Sequence, residues 1–434
     1  MKIPKRVAST VINSLKGGVV PRIGLPYITV GRRTEVDALL NDVEIIADGG
    51  ATFRFIEGRY GSGKSFLLQA VRNYVMDRNF VVIDGDLSPE RKLHGNKGQG
   101  LATYRELIRN MSTRTKPEGG ALTLILDRWI SEAQSQTSQT VSPDSPDFPK
   151  AVEKRIGEIV LSMNEMVHGF DFARLLILYY RAFAEGDDMA KAKVVRWFRG
   201  EYQNKTEAKN DLGVNIVITD DDWYEYVKLF AFFLKQAGYA GMMMLVDELV
   251  NIYKIPNRIS RENNYEKILT MYNDVLQGKA RYLGIIMCGT PECIENTQRG
   301  VYSYEALRSR LSDGRFASEG RKDMLAPVIK LDPLTYEEMT VLVEKLSDIH
   351  AILFDYERRL TEGDLVTFIK IEYSRVGADS HITPREIIRD FIELLDILYQ
   401  HPDTDVAQLL NSGDFDYAKA GPEGDGDEIP EFEL

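Results

Sequence analysis

The sequence has little cysteine, little histidine and no excess of positive charge. Its 434 residues include only two cysteines, Cys288 and Cys293. That is too few for a disulfide framework, and they lack the paired spacing of a thiolate metal site, so a reducing, cytoplasmic setting is expected. The five histidines, His94, His168, His350, His381 and His401, are scattered and show no ligand spacing. A formal net charge of -12 excludes a chain coated for nonspecific nucleic-acid binding, although not a local basic patch. No apolar run reaches bilayer length, and the opening Met1-Lys2-Ile3-Pro4-Lys5-Arg6 leads into none, so no membrane partner is expected.

The acidity is uneven. From Gly413 to Leu434 the chain carries Asp414, Asp416, Glu423, Asp425, Asp427, Glu428, Glu431 and Glu433 against the single Lys419, leaving the rest closer to neutral. Such a stretch reads as a disordered, solubilising tail, or as a docking strip for a basic partner. The remaining length suits two or three domains with a substantial core.

What is present is a glycine-rich phosphate cradle. Gly58-Arg59-Tyr60-Gly61-Ser62-Gly63-Lys64-Ser65 satisfies the P-loop pattern in full. Phe53-Arg54-Phe55-Ile56 reads as the strand before it, and Phe66-Leu67-Leu68-Gln69-Ala70-Val71 as the amphipathic helix after it, which is the context the pattern requires. The glycines let successive N–H groups turn inward around a polyphosphate, and the positive end of the helix adds to that field. Lys64 is expected to reach the β and γ oxygens and the Ser65 hydroxyl to ligate Mg²⁺. Gly58, Tyr60, Gly61, Ser62, Gly63 and Phe66 are expected to line the nucleotide, making ATP and Mg²⁺ the expected cofactors.

A second apolar run, Met242-Met243-Met244-Leu245-Val246, closes on Asp247-Glu248. At the carboxyl end of a parallel strand, Asp247 would order Mg²⁺ through its water shell and Glu248 would polarise the attacking water. Further strands are expected at Phe80 to Asp84, ending in a turn from Gly85 to Pro89, at Tyr282 to Thr290 and at Pro327 to Leu331. Asp84 and Asp86 read as turn residues or as acid ligands. From about Leu101 to Gly241 the spacing is helical, with Ile156, Ile159, Val160, Met163 and Val167 on one stripe and Trp223, Val227, Phe230, Ala231 and Leu234 on another. A polar, Pro-punctuated loop is expected between Ser135 and Pro149. Arg181, Lys191, Lys193, Arg196 and Arg199, interleaved with Phe183, Trp197 and Phe198, read either as a nucleic-acid face or as solvated charges over an aromatic core. Asp332 to Glu338 caps the first of the helices that form a C-terminal lid.

Taken in order, the P-loop, Asp247-Glu248, Gly289-Thr290, Ser309-Arg310 and Pro384-Arg385 resemble the AAA+ ATPases of the Orc-like initiator clade, over roughly Gly31 to Tyr399. More narrowly, Glu57 to Ser65, Asp247-Glu248-Leu249, Cys288-Gly289-Thr290-Pro291 and Thr383-Pro384-Arg385-Glu386 are similar to the ATP-binding proteins of BREX-type phage defence, the BrxD-like group. The resemblance implies an α/β P-loop NTPase with a three-layer α/β/α parallel sheet at 51–332, interrupted by a long helical insertion at about 101–240. A segment 1–50 precedes this core, a helical lid at 333–411 follows, and 412–434 is the acidic tail.

The same resemblance implies roles for single residues. Gly31-Arg32 would form an adenine-side turn, equally readable as a plain loop-to-helix junction. Thr290 would be the sensor between the acids and the γ-phosphate, with a strand-end turn as the competing reading. Arg310, or else Arg308, would reach a neighbouring subunit's phosphates, and Arg385 would fold over the nucleotide. The activity implied is Mg²⁺-dependent ATP hydrolysis driving a motor or switch, with other phage-defence proteins, DNA and further copies of the chain as candidate partners. The sequence departs from the initiators in its long insertion and in the short stretch after Arg385, which puts winged-helix DNA binding in question. An ATP-dependent assembly scaffold, or a STAND-like switch with negligible turnover, is the alternative.

Overall fold

The computed structural model describes residues 2–312, 323–375 and 383–411. Five short apolar runs form strands β1 (Ala51–Glu57), β2 (Val81–Asp86), β3 (Met242–Asp247), β4 (Leu283–Gly289) and β5 (Val328–Lys330). They make one parallel sheet in the order β2-β3-β4-β1-β5. Parallel strands are covered on both faces, which is why β3 and β4 are unbroken apolar runs and every residue of β4 is buried. β4 lies beside β1 from Ala51↔Leu283 to Glu57↔Gly289, and beside β3 from Met242↔Leu283 to Val246↔Met287. The carboxyl ends of β1, β3 and β4 therefore finish on one edge. From β1 the chain goes on to β2 at one side of the sheet, and from its neighbour β4 to β5 at the other. Such diverging connections make the switch point where ligands of parallel sheets collect.

The chain divides into two compact units. One takes its described residues from Met1–Arg32, Tyr60–Gln69 and Asp332–Leu434, the other from Arg33–Arg59 and Ala70–Leu331. The second unit holds the sheet and, between β2 and β3, the helices Gln99–Arg109, Leu122–Ser138, Phe148–Leu161, Gly169–Glu185, Asp188–Phe198, Lys205–Leu212 and Trp223–Gln236. Their core is aromatic. Phe172, Phe198 and Phe230 pack tilted or edge-on at centroid separations of 4.9, 5.1 and 5.6 Å, geometries that add roughly 0.5–1.5 kcal/mol per pair beyond burial. This core is continuous with Phe55, Ile83, Met244 and Ile285 of the sheet.

Four sequence readings are corrected or decided within this unit. The stripe from Ile156 to Val167 is not one helix: it stops at Leu161, after which Ser162 and Asn164 favour turns, leaving Met163 buried and Val167 exposed. Ser135 to Ser138 are helical, because Ala133 and Thr137 still pack inward, so the polar loop is shorter than expected. Gly85 and Asp86 belong to β2 and not to the turn after it, since β3 pairs with both (Gly85↔Val246, Asp86↔Asp247). The basic, aromatic stretch is no stacking platform. Trp197 and Phe198 are buried, while Arg181, Lys191, Lys193 and Arg196 pair with Glu153, Asp127, Asp211 and Glu207.

The first unit is helical. Lys5–Lys16, Tyr336–Phe354, Glu362–Arg375 and Pro384–Gln400 enclose Ala8, Val11, Ile12, Leu346, Phe368, Phe391 and Leu395. The helix Lys5–Lys16 carries its apolar residues on one face, and that face needs a partner. It finds one in the C-terminal helices, so residues 1–32 group with those helices and residues 33–50 with the sheet. The acidic tail 412–434 and His381 lie outside the described residues. Among the described residues no helix is long and apolar enough to cross a membrane.

Candidate functional site

At the sheet edge, pairing continues one residue past β1. The Gly58 N–H donates to the Gly289 carbonyl at 3.1 Å, and the Leu331 N–H to the Glu57 carbonyl at 2.8 Å. Gly58 is thus held as an extension of the strand, and it is not among the glycines at positive φ. At the end of β3 the chain turns sharply. Glu248 has φ 61°, a left-handed conformation that costs a side-chain-bearing residue roughly 1–2 kcal/mol. Its N–H donates to Asp247 Oδ1 at 2.8 Å, and its carboxylate is exposed. Strain of this kind concentrates at sites of chemistry.

Thr290, directly after β4, is the N-cap of the short helix Pro291–Glu295, its hydroxyl accepting the Cys293 N–H at 3.4 Å. That bond uses an oxygen lone pair and not the hydroxyl proton. Asp86 stands abreast of Asp247 across the β2–β3 ladder. Its carboxyl is held above the usual carboxylate value, first by partial loss of hydration and then by the charges of Asp247, Glu248 and Asp84, against the pull of Arg91. Asp84 itself is turned to Arg72 at 3.1 Å, a structural pairing.

The glycine-rich loop from Tyr60 onward belongs to the helical unit. Gly61 (φ +75°) and Gly63 (φ +95°) are left-handed, as a phosphate cradle requires. Lys64 and Ser65, both half-buried, are the first two residues of the helix Lys64–Asp77. Phe66 packs into the apolar core of the unit. Arg32, itself left-handed at φ 61°, sends its guanidinium to the Ser62 carbonyl at 2.9 Å. Gly31 beside it approaches Glu338 so closely that a Cβ would lie 2.7 Å from a carboxylate oxygen. The Gly31-Arg32 turn is therefore a clamp on the loop backbone. Gly61 lies against Thr383, the N-cap of the helix Pro384–Gln400, and the next arginine, Arg385, lies over the Tyr60 ring.

Arg308 and Arg310 are exposed on the helix Glu305–Leu311, and Arg310 donates to the Ala306 carbonyl of its own helix at 2.7 Å. Sequence reasoning read Asp86 as a turn residue or an acid ligand, and its place beside Asp247 emerges only once β2 is known to neighbour β3. It missed two participants, Glu338 and Thr383, which carried a capping signal but none that linked them to the loop.

The family model of the BREX system ATP-binding protein BrxC/D matches residues 3–414. The chain belongs to this family. Membership brings ATP binding and a place in BREX antiviral defence. Compared with curated proteins, the chain has no match. The residues of this BrxC/D-family chain suit a magnesium nucleotide. The loop offers left-handed glycines and a helix start to phosphate oxygens. Ser65, in the helical unit, and Asp247, in the sheet unit, are each hard oxygen donors of the kind Mg²⁺ takes.

Proposed function

We propose that the chain is a Mg²⁺-dependent ATPase of the AAA+ type, a motor or switch that acts on DNA or protein partners in BREX defence. Lys64 and the loop N–H groups, from Gly58 through Tyr60, Gly61, Ser62 and Gly63, hold the phosphates. Ser65 and Asp247 hold Mg²⁺, which neutralises developing phosphoryl charge when bound. Glu248 polarises the attacking water, Thr290 donates its hydroxyl proton toward it, and Arg385 contacts the phosphates. Arg310, with Arg308 as second choice, completes the site of a neighbouring copy. In this reading residues 333–411 act as the lid and the core lies at 51–332.

The observation that carries this reading is the strained, exposed Glu248 directly after Asp247, on the sheet edge that also holds the ends of β1 and β4. Left-handed backbone is costly, and presenting a carboxylate at a switch point is a reason to bear it. The test is steady-state ATP hydrolysis across protein concentrations, with and without duplex and single-stranded DNA. Lys64→Ala is expected to abolish nucleotide binding, and Glu248→Gln to bind ATP without turning it over. An unchanged rate in Glu248→Gln removes Glu248 from the mechanism. Turnover independent of protein concentration removes the trans role of Arg310.

A further inference from the structure

Tyr60 is an exposed aromatic inside a loop of small residues, with 69% of its surface accessible. A nucleotide contact is the role its position in the motif suggests. Its ring and hydroxyl are engaged elsewhere. The guanidinium of Arg385 lies over the ring, 5.1 Å from its centroid, and Arg385 Nη1 donates to the Tyr60 hydroxyl at 3.1 Å. A cation over the face together with a hydrogen bond at the edge fixes the guanidinium both in position and in plane. The bond to Tyr60 uses one of its five N–H donors.

Both ends of this pair are anchored within the same unit. On one side, Arg32 holds the Ser62 carbonyl at 2.9 Å, and Gly61 is packed so tightly on Thr383 that a Cβ would stand 2.7 Å from the Thr383 Cβ. On the other, Thr383 and Glu386 cap each other reciprocally, two positions before Arg385 and one after it. The Arg385 stem runs past Gly18, 3.8 Å from where a Cβ would be. The backbone positions that carry the two side chains are thus fixed relative to each other.

We propose that Tyr60 is the positioning residue for Arg385: by stacking and hydrogen bonding it sets the guanidinium beside the phosphate cradle, and Arg385 recognises a triphosphate only while Tyr60 holds it. This deepens the ATPase reading and rests on it. The Tyr60 side chain acts on the nucleotide through Arg385 and not by touching it, whatever its backbone N–H does in the loop.

The test measures binding of Mg-ATP and Mg-ADP by calorimetry, which needs no turnover, to the full chain and to Tyr60→Ala, Tyr60→Phe, Arg385→Ala and Tyr60→Ala/Arg385→Ala, with thermal melting as a check on folding. A cation–π contact plus a hydrogen bond at an exposed site corresponds to a loss of about five- to tenfold in the ATP-over-ADP preference for each alanine variant. The double variant is expected to lose no more than either single one. Tyr60→Phe, which keeps the stack, should retain most of the preference. Independent, multiplying losses in the double variant overturn the proposal. So does an unchanged or increased preference in Tyr60→Ala. If those results come with ATP binding that Lys64→Ala abolishes, only the positioning role falls. If the native chain binds neither nucleotide, both readings fall together.

Discussion

Replacing Gly61 by alanine places a single methyl group where two effects meet. The residue sits at φ +75°, and the added Cβ would stand 2.7 Å from Thr383 Cβ and 2.9 Å from its Cγ2 and Oγ1. The left-handed conformation costs an alanine roughly 1–2 kcal/mol, and the overlap, which forces the cap of the helix Pro384–Gln400 to move, adds about 1–3 kcal/mol. A total of about 2–5 kcal/mol is expected, the terms counted as independent. Thr383→Gly separates them. It removes the clashing side chain at the expense of a cap whose loss by itself costs a few tenths to about 1 kcal/mol. In Gly61→Ala/Thr383→Gly the overlap disappears and the dihedral cost stays, so the double variant should be about 1–3 kcal/mol more stable than the sum of the singles predicts. Chemical unfolding of the four proteins, followed by far-ultraviolet circular dichroism, reads this coupling. Additive losses would refute the close approach of the loop to the Thr383 cap.

Arg54, 8% exposed, forks onto Asp42 at 2.6 and 2.7 Å and donates to the Leu325 and Ala326 carbonyls. Arg54→Met should cost about 3–5 kcal/mol in chemical unfolding, and adding Asp42→Leu should restore only part of it, because the two carbonyls still lack their donor; full recovery would contradict this. His350, buried and hydrogen-bonded to Asp396 and Tyr356, has its pKa lowered by burial against the opposing pull of Asp396. Its folded value thus lies below the unfolded one, near 6.5. The stability it contributes is complete above that pH and is lost as the pH falls through it toward the folded value. The melting temperature of the native chain should decline from pH 7 to pH 5.5 more steeply than that of His350→Phe, and equal slopes would rule this out. At Glu248, glycine relieves the left-handed strain, so Glu248→Gly should raise the melting temperature by the equivalent of about 1 kcal/mol while abolishing ATP turnover. A lower melting temperature would show that φ 61° is not a source of strain.

The strands were legible because each is a short apolar run in a sheet buried on both faces, a local property that needs no knowledge of neighbours. Val81 to Asp86 shows where that reading stops. Gly85 and Asp86 look like a turn, and only pairing with Val246 and Asp247 keeps them in β2. The same limit applies to the helix Phe148–Leu161. Apolar spacing continues past it, yet Met163 is buried from a turn and not from a helical stripe. Periodicity records which residues go inward and is silent on whether the backbone between them stays helical.

At the site, residue type was readable and residue relation was not. Gly58, Gly61 and Gly63 look equivalent in the motif, yet Gly58 extends a strand while Gly61 and Gly63 are left-handed. Gly31-Arg32 carries no sign of a loop clamp, because the Ser62 carbonyl it holds lies thirty residues on. Tyr60 and Arg385 are 325 positions apart, and neither residue type predicts the other. A motif specifies the atoms that must face a ligand. The residues that hold those atoms in place come from wherever the fold brings a complementary group, and so leave no local trace. It follows that substitutions at Arg32, Glu338 and Thr383, outside the glycine-rich motif, should disturb nucleotide binding through the loop they brace.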